Sequence, residues 1–163
     1  MVIVQDSREH TGKKDHILSY FEQNGIQVVR SKLYVGDYSL LHDQSVCIDT
    51  KKDCLELFQN LTQSHVRFRS ELIRAQSYGI QLYILTEERL PPGGLNEWVS
   101  PVYKSNSANH KKGEPLTTVN PAIMRKAMIT MQEKYGVKFR FCDKQDTGKI
   151  ILGLLGADRN EKE

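Results

Sequence analysis

Short apolar runs of strand length alternate along this sequence with segments of helical periodicity, and this alternation constrains the fold most. Val2-Ile3-Val4 is a β-branched run typical of a buried strand, and Gly25 ends the helix that follows it. Further strands are predicted over 26–30, 33–41, 45–51, 80–85 and 139–141, and helices over 14–24, 53–61, 65–78, 121–135 and 150–155. This order predicts a mixed α/β domain.

One long segment interrupts the alternation. It contains Pro91-Pro92-Gly93-Gly94 and then a polar stretch over 105–113, a length unusual for a passive connection. With 163 residues, the chain has the size of one globular domain. We therefore expect a single domain over 1–157, with a mobile surface insertion at about 87–119, and a charged tail over 158–163.

Charge and cysteine content exclude several classes of protein. The net charge of +3 is small, so any surface for a polyanion must be local. Cys47, Cys54 and Cys142 are odd in number and form no C-x-x-C pair, which argues against a disulfide framework and against zinc. There is no signal peptide and no apolar stretch of about 18 residues, so we expect an intracellular, soluble protein that is neither secreted nor membrane-bound.

The predicted hairpin carries two acids and a lysine whose spacing can bring them together. Because side chains alternate along a strand, Asp49 and Lys51 share one face. Eleven residues separate Asp37 from Asp49, about the span of one antiparallel return, which can bring the two carboxylates together. Paired carboxylates favour Mg²⁺ or Mn²⁺ between them, and a nearby lysine can stabilise a transition state. The same triplet also fits a simple ion pair in a hairpin.

Three motifs in order carry a resemblance to a known family. They are Val4-Gln5-Asp6-Ser7-Arg8-Glu9, Val35-Gly36-Asp37-Tyr38 and Ile48-Asp49-Thr50-Lys51. This series resembles the nuclease domain of the XPF/Hef family of structure-specific endonucleases, within the PD-(D/E)XK superfamily, whose signatures are V-x-D-x-R-E, V-G-D-Y and E-R-K. The resemblance continues through Arg67-Phe68 to the strand over 82–85.

The resemblance implies a restriction-endonuclease-like fold, in which helices flank both faces of a central mixed sheet. It implies a DNA endonuclease that depends on Mg²⁺ or Mn²⁺, similar to small single-domain members from bacteria and phages, in the cytoplasm or at the nucleoid. Asp37 and Asp49 would bind metal, and Lys51 would be the catalytic lysine. Asp6 would be a further metal ligand, with Arg8 and Glu9 as catalytic groups of the same cleft.

The sequence departs from this pattern at three positions. Asp49 replaces a glutamate, Thr50 replaces an arginine and thereby removes a cation, and Leu55 stands where the family has an aspartate. The resembled family also contains pseudo-nuclease partners that retain the fold, so a non-catalytic DNA-binding pseudo-nuclease module is the alternative function. A site of this type that cuts RNA or a nucleotide also stays open.

Two further expectations concern partners. We expect DNA contacts from Arg67, Lys52, Lys111 and Lys112, although Arg67, Glu71 and Arg74 also fit a solvated ion-pair stripe on one helix. A homodimer is expected from the Met-rich stripe of the helix over 121–135 and from the apolar segment 150–155. The Met stripe equally fits the core of a monomer.

Overall fold

A computed structural model gives the three-dimensional structure of the chain and describes residues 1–104 and 117–156. Within these ranges the elements run in the order β1 (Val2–Asp6), α1 (Asp15–Gln23), β2 (Gln27–Ser31), β3 (Tyr38–Leu40), β4 (Val46–Lys51), α2 (Cys54–Thr62), α3 (His65–Ser77), β5 (Gln81–Thr86), α4 (Pro121–Tyr135), β6 (Lys138–Phe141) and α5 (Thr147–Leu154). Short 3-10 turns occupy Gly94–Asn96 and Lys144–Asp146.

The strands form one mixed sheet in the order β2-β1-β3-β4-β5-β6. β3 is antiparallel to its neighbours β1 and β4, whereas the other adjacent strands are parallel. Five strands therefore end at the same edge, and β3 begins there. We name this edge the carboxyl edge; it carries Asp6, Asp37, Lys51 and Thr86.

Two apolar clusters cover the two faces of the sheet. One contains side chains of α2, α3 and α4, such as Leu57, Leu72 and Met124, and the other contains side chains of α1 and α5. Along β4, Cys47 lies in the first cluster and Ile48 in the second, as strand alternation requires. The predicted central mixed sheet with helices on both faces is confirmed.

Local capping signals determine where the helices begin and end. The Asp53 side chain accepts a hydrogen bond from the Glu56 backbone N–H (2.8 Å) at the start of α2. Asn120 caps α4 in the same way, Pro121 occupies its first position, and Gly136 ends it with φ of 69°. These helices agree with the sequence prediction to within a residue or so.

Two predicted elements differ from the structure. The strand predicted over 33–41 is reduced to Tyr38–Leu40, because the preceding residues form a loop that is tied to other elements at the carboxyl edge. The last helix begins at Thr147, three residues earlier than predicted. Its first turn packs closely on α1, since a Cβ at Gly148 would lie 2.7 Å from the Tyr20 ring.

The described ends of the predicted insertion are anchored to the domain. Trp98 is buried in the cluster with α2, α3 and α4, and so is Val119. Tyr103 pairs with Thr117 through a β-bridge, and its hydroxyl donates to the Glu88 carboxylate (2.6 Å). These ends are therefore held on the domain by packing and hydrogen bonds, while the mobility of the insertion stays a prediction. Lys111, Lys112 and the tail over 158–163 lie outside the described residues.

The Met-rich stripe of α4 is part of the core. Met124 is fully buried and Met128 nearly so. Ile151 and Leu155 are likewise buried, against α1 and the sheet. Met131 on α4 and Ile150, Leu152 and Leu154 on α5 are only partly buried, so the homodimer stays a prediction. All three cysteines are buried free thiols. Within the described ranges, every helix is too short or too polar to cross a membrane.

Candidate active site

The carboxyl edge brings Asp37, Asp49 and Lys51 together. The Asp37 backbone N–H donates to the Ile48 carbonyl (2.7 Å), and Tyr38 pairs with Ile48 in the register of β3 and β4. Asp37 therefore lies opposite Asp49, as the predicted antiparallel return requires. All three side chains are buried, with 5 to 8% of each residue exposed.

Gly36 allows the chain to approach β4 this closely. Its φ is +74°, and a Cβ there would lie 2.9 Å from the Ile48 carbonyl oxygen and 3.3 Å from the Cys47 Cβ. A side chain would meet both a disfavoured backbone conformation and a backbone atom that cannot move aside. Glycine at this position is thus a structural requirement for placing Asp37.

Contacts from α3 and β1 hold the loop over 32–37. Glu71 Oε1 accepts from the Gly36 backbone N–H (2.9 Å), and the Arg74 guanidinium donates to the Tyr34 carbonyl (2.8 Å). Asp6 Oδ2 accepts from the Leu33 N–H (2.8 Å). Glu71 and Arg74 belong to the stripe that helical spacing identified only as a possible ion-pair face. Spacing gave no sign of their role, because their partners lie on another element.

Thr50 holds one oxygen of the Asp37 carboxylate. Asp37 Oδ2 accepts from the Thr50 backbone N–H (2.8 Å) and from its hydroxyl (2.6 Å). Burial raises the pKa of Asp37 to about 7, and the nearby negative charge of Glu9 adds to this effect. Part of the Asp37 population is therefore protonated at neutral pH when no cation is present.

Asp49 and Lys51 form a buried ion pair. Lys51 Nζ lies 3.0 Å from Asp49 Oδ2, and this oxygen has no well-aligned hydrogen-bond partner among the described residues. Burial raises the pKa of Asp49 to about 6, with a further contribution from the Asp37 charge. Burial opposes the charged form of Lys51, but the Asp49 charge outweighs it and holds the lysine pKa above its ordinary value.

The donor atoms at this edge fit a hard divalent cation. Asp37 and Asp49 supply carboxylate oxygens, one of them buried without a well-aligned hydrogen bond, and burial raises the pKa of both acids, so a nearby positive charge would favour their ionised forms. In residues 1–104 and 117–156, no cluster of three His, Cys, Asp or Glu side chains is arranged to hold a metal. Mg²⁺ usually binds through one or two carboxylates together with waters and substrate phosphates, so two acids suffice.

Asp6 and Arg8 bind each other. The Arg8 guanidinium donates to both Asp6 oxygens (2.8 and 2.9 Å), and the Arg8 and Leu33 backbone N–H groups donate to them as well. Burial opposes ionisation of Asp6, but these hydrogen bonds lower its pKa below the ordinary value. Asp6 as a metal ligand stays a prediction, and the geometry favours a role in holding the loop. Glu9 is partly buried beside Asp37.

The remaining predicted residues lie on the surface or outside the described ranges. Arg67 and Lys52 are exposed, on α3 and just after β4. Lys111 and Lys112 are not among the described residues. Leu55 is buried in the core, while Asp53 caps α2. No acid therefore replaces the family's third carboxylate at the position of Leu55.

Comparisons with known proteins agree with the fold. The family model of the ERCC4 domain matches residues 5–154. "XPF from Aeropyrum pernix" is 20% identical with a TM-score of 0.64, covering 98% of this chain and 65% of that chain. A second structure, "XPF from Aeropyrum pernix, complex with DNA", is 18% identical with a TM-score of 0.64, covering 98% of this chain and 66% of that chain. The chain thus spans slightly less than two thirds of each. No curated protein matches the sequence.

Proposed function

The chain belongs to the ERCC4 domain family, and from this premise we propose that it is a metal-dependent DNA endonuclease with Asp37, Asp49 and Lys51 at its active centre. The observation that carries the proposal is the placement of two buried acids opposite each other at the carboxyl edge, with a buried lysine beside one of them. The similar fold of a protein whose structure is titled as a complex with DNA supports DNA as the substrate class.

Each residue has a distinct role in this proposal. Asp37 and Asp49 would hold Mg²⁺ or Mn²⁺, which would supply positive charge against the phosphate and would make a bound water more acidic. Lys51 keeps its proton because of Asp49 and donates to a phosphate oxygen or orients the attacking water. Glu71 and Gly36 fix the backbone that carries Asp37.

Contacts with DNA and with a second copy are proposed without individual atoms assigned to them. Exposed Lys52 and Arg67 follow the site residues in sequence and are candidates for phosphate contacts. Because the net charge is only +3, such local cations would dominate the attraction to DNA. A homodimer stays a prediction without a surface assigned to it.

The proposal is tested by cleavage of labelled linear, flap, splayed and four-way DNA, and of RNA counterparts, with Mg²⁺ or Mn²⁺ and with a chelator. The variants are Asp37→Asn, Asp49→Asn and Lys51→Ala. Asp43→Asn is a matched control, since it removes one carboxylate from the exposed turn between β3 and β4, at the opposite end of the hairpin.

The two Asn variants should lose metal binding by calorimetry and lose cleavage, while circular dichroism shows an intact fold. Lys51→Ala should keep metal binding but cut more slowly by about a hundredfold or more, as expected when one group that stabilises the transition state is removed. Near-parental cleavage by either Asn variant would reject this site. Tight DNA binding without cleavage by the parent protein would support the non-catalytic alternative.

A further inference from the structure

The triplet of the resembled family has an arginine in the middle, whereas this chain has Thr50 at that position. The structure places another basic group there. Lys14 Nζ lies 2.5 Å from Thr50 Oγ1, although the two residues are 36 positions apart in sequence. Lys14 directly precedes α1, so the cation comes from a different element than the triplet.

The hydrogen bonds around Thr50 have a defined direction. Its hydroxyl has a single proton, which it donates to Asp37 Oδ2 (2.6 Å). The same oxygen of Thr50 must therefore accept from the Lys14 ammonium. Thr50 and Asp37 are 4 and 8% exposed, so this chain of bonds from Lys14 through Thr50 to Asp37 is largely shielded from water. Shielding strengthens charge-assisted hydrogen bonds.

The charges at the carboxyl edge indicate why a cation is needed on this side. Lys51 faces Asp49, on one side of the acid pair. Near Asp37 the structure places the further negative charge of Glu9. Arg8 also lies within electrostatic reach of Asp37, but its guanidinium is bound to Asp6. Lys14 is therefore the basic side chain that is connected to Asp37 by hydrogen bonds.

We propose that Lys14 is a positioning residue of the active centre, which acts on Asp37 through Thr50 and supplies the positive charge that the family's triplet takes from its arginine. The inference rests on the proposed nuclease function. By fixing the Thr50 hydroxyl, Lys14 keeps the hydroxyl proton on Asp37 Oδ2 and holds the carboxylate in one orientation. Its charge also offsets the repulsion among the buried acids.

The first test does not depend on catalysis. Lys14→Ala, Asp37→Asn and the double variant are compared with the parent by urea unfolding at pH 8 in the presence of a chelator. Lys14→Ala should raise the unfolding equilibrium constant more in the parent than in the Asp37→Asn background. The two increases should differ by about threefold or more. Equal effects in both backgrounds would overturn the proposed action on Asp37.

The second test measures single-turnover cleavage at saturating metal and DNA. Lys14→Ala should cut more slowly by about tenfold or more, as expected for the loss of a charge-assisted hydrogen bond, with DNA affinity within about twofold of the parent. Lys13→Ala is the matched control, since Lys13 is the exposed neighbouring lysine, and it should cut at the parental rate. Lys14→Arg should retain most of the activity.

The double variant Lys14→Ala with Thr50→Arg tests the exchange of cations directly. If Lys14 supplies the charge of the family's arginine, cleavage should recover in part relative to Lys14→Ala, and a folded double variant without recovery would overturn this exchange. If the double variant does not fold, Lys14→Arg alone decides the rescue. A Lys14→Ala rate equal to that of Lys13→Ala would overturn the proposal. A parent protein that cuts no substrate rejects the nuclease function instead, and the unfolding experiment then decides whether Lys14 acts on Asp37.

Discussion

Replacing Gly36 with alanine tests the local geometry on which the proposed site depends. The backbone at Gly36 has φ of +74°, and the added Cβ would lie 2.9 Å from the Ile48 carbonyl oxygen. That oxygen also accepts from the Asp37 N–H at 2.7 Å. The contact cannot be relieved by a side-chain rotation, because every atom involved except the new Cβ belongs to the backbone. Relief requires the loop to move away from β4 and weakens the bond that places Asp37.

The expected cost has two parts. A left-handed conformation costs an alanine about 1–2 kcal/mol. Overpacking against a fixed neighbour costs about 1–3 kcal/mol more. The sum of about 2–5 kcal/mol is a large share of the ~5–15 kcal/mol that stabilises a typical domain, so the variant should remain folded but be clearly less stable.

Gly79→Ala separates the two parts. Gly79 follows α3 with φ of +65°, and a Cβ there would have no atom within 4 Å. This control should therefore lose only the conformational part. Urea unfolding measures both variants, and metal titration should show weaker binding for Gly36→Ala alone, since only Gly36 adjoins Asp37. If Gly36→Ala is no less stable than Gly79→Ala, the loop yields easily and the close approach to β4 does not fix the site.

Three further predictions concern the protonation of Asp37, the role of Asp6 and the oligomeric state. Since burial raises the pKa of Asp37 from 3.8 to about 7, the folded metal-free protein holds a proton that the unfolded chain releases. Its stability should fall as pH rises from about 4 to about 7, and Asp37→Asn should flatten this decline in urea unfolding with a chelator. Asp6→Asn should lower stability by about 1–3 kcal/mol but leave metal affinity unchanged, and lost metal affinity in a folded variant would make Asp6 a ligand. Light scattering should show twice the chain mass of 18.7 kDa if the protein dimerises, and a single 18.7 kDa species would reject the homodimer.

Features encoded by neighbouring residues could be predicted from the sequence. The helix boundaries at Asp53, Asn120 and Gly136 depend on capping groups that act within one turn. The placement of Asp37 opposite Asp49 could be predicted from strand alternation and from the length of one antiparallel return, although Gly36 and Glu71 also hold Asp37 there. Such signals are local, so spacing in the sequence translates directly into positions in the structure.

Features that depend on distant contacts could not be predicted in this way. The apolar residues of the loop over 32–37 have strand spacing, so the sequence predicts a strand there. Contacts from Asp6 on β1 and Glu71 on α3 hold the loop in another conformation. The Met-rich stripe of α4 was ambiguous for a related reason, since spacing identifies an apolar face but not what covers it. Here the sheet and the neighbouring helices cover Met124 and Met128.

The same distinction explains how the triplet can lack its arginine. A positive charge acts through its position and not through its place in the sequence, so a lysine ahead of α1 can stand beside Asp37 as well as a residue of β4 can. The structure places Lys14 against Thr50, which binds Asp37, and it places Lys51 beside Asp49. Each buried acid therefore has a basic group on its side. The pKa values of both acids nevertheless remain raised, which shows that the two lysines offset only part of the cost of burial. Under the proposed function, a cation bound by Asp37 and Asp49 would offset the remaining cost of their burial.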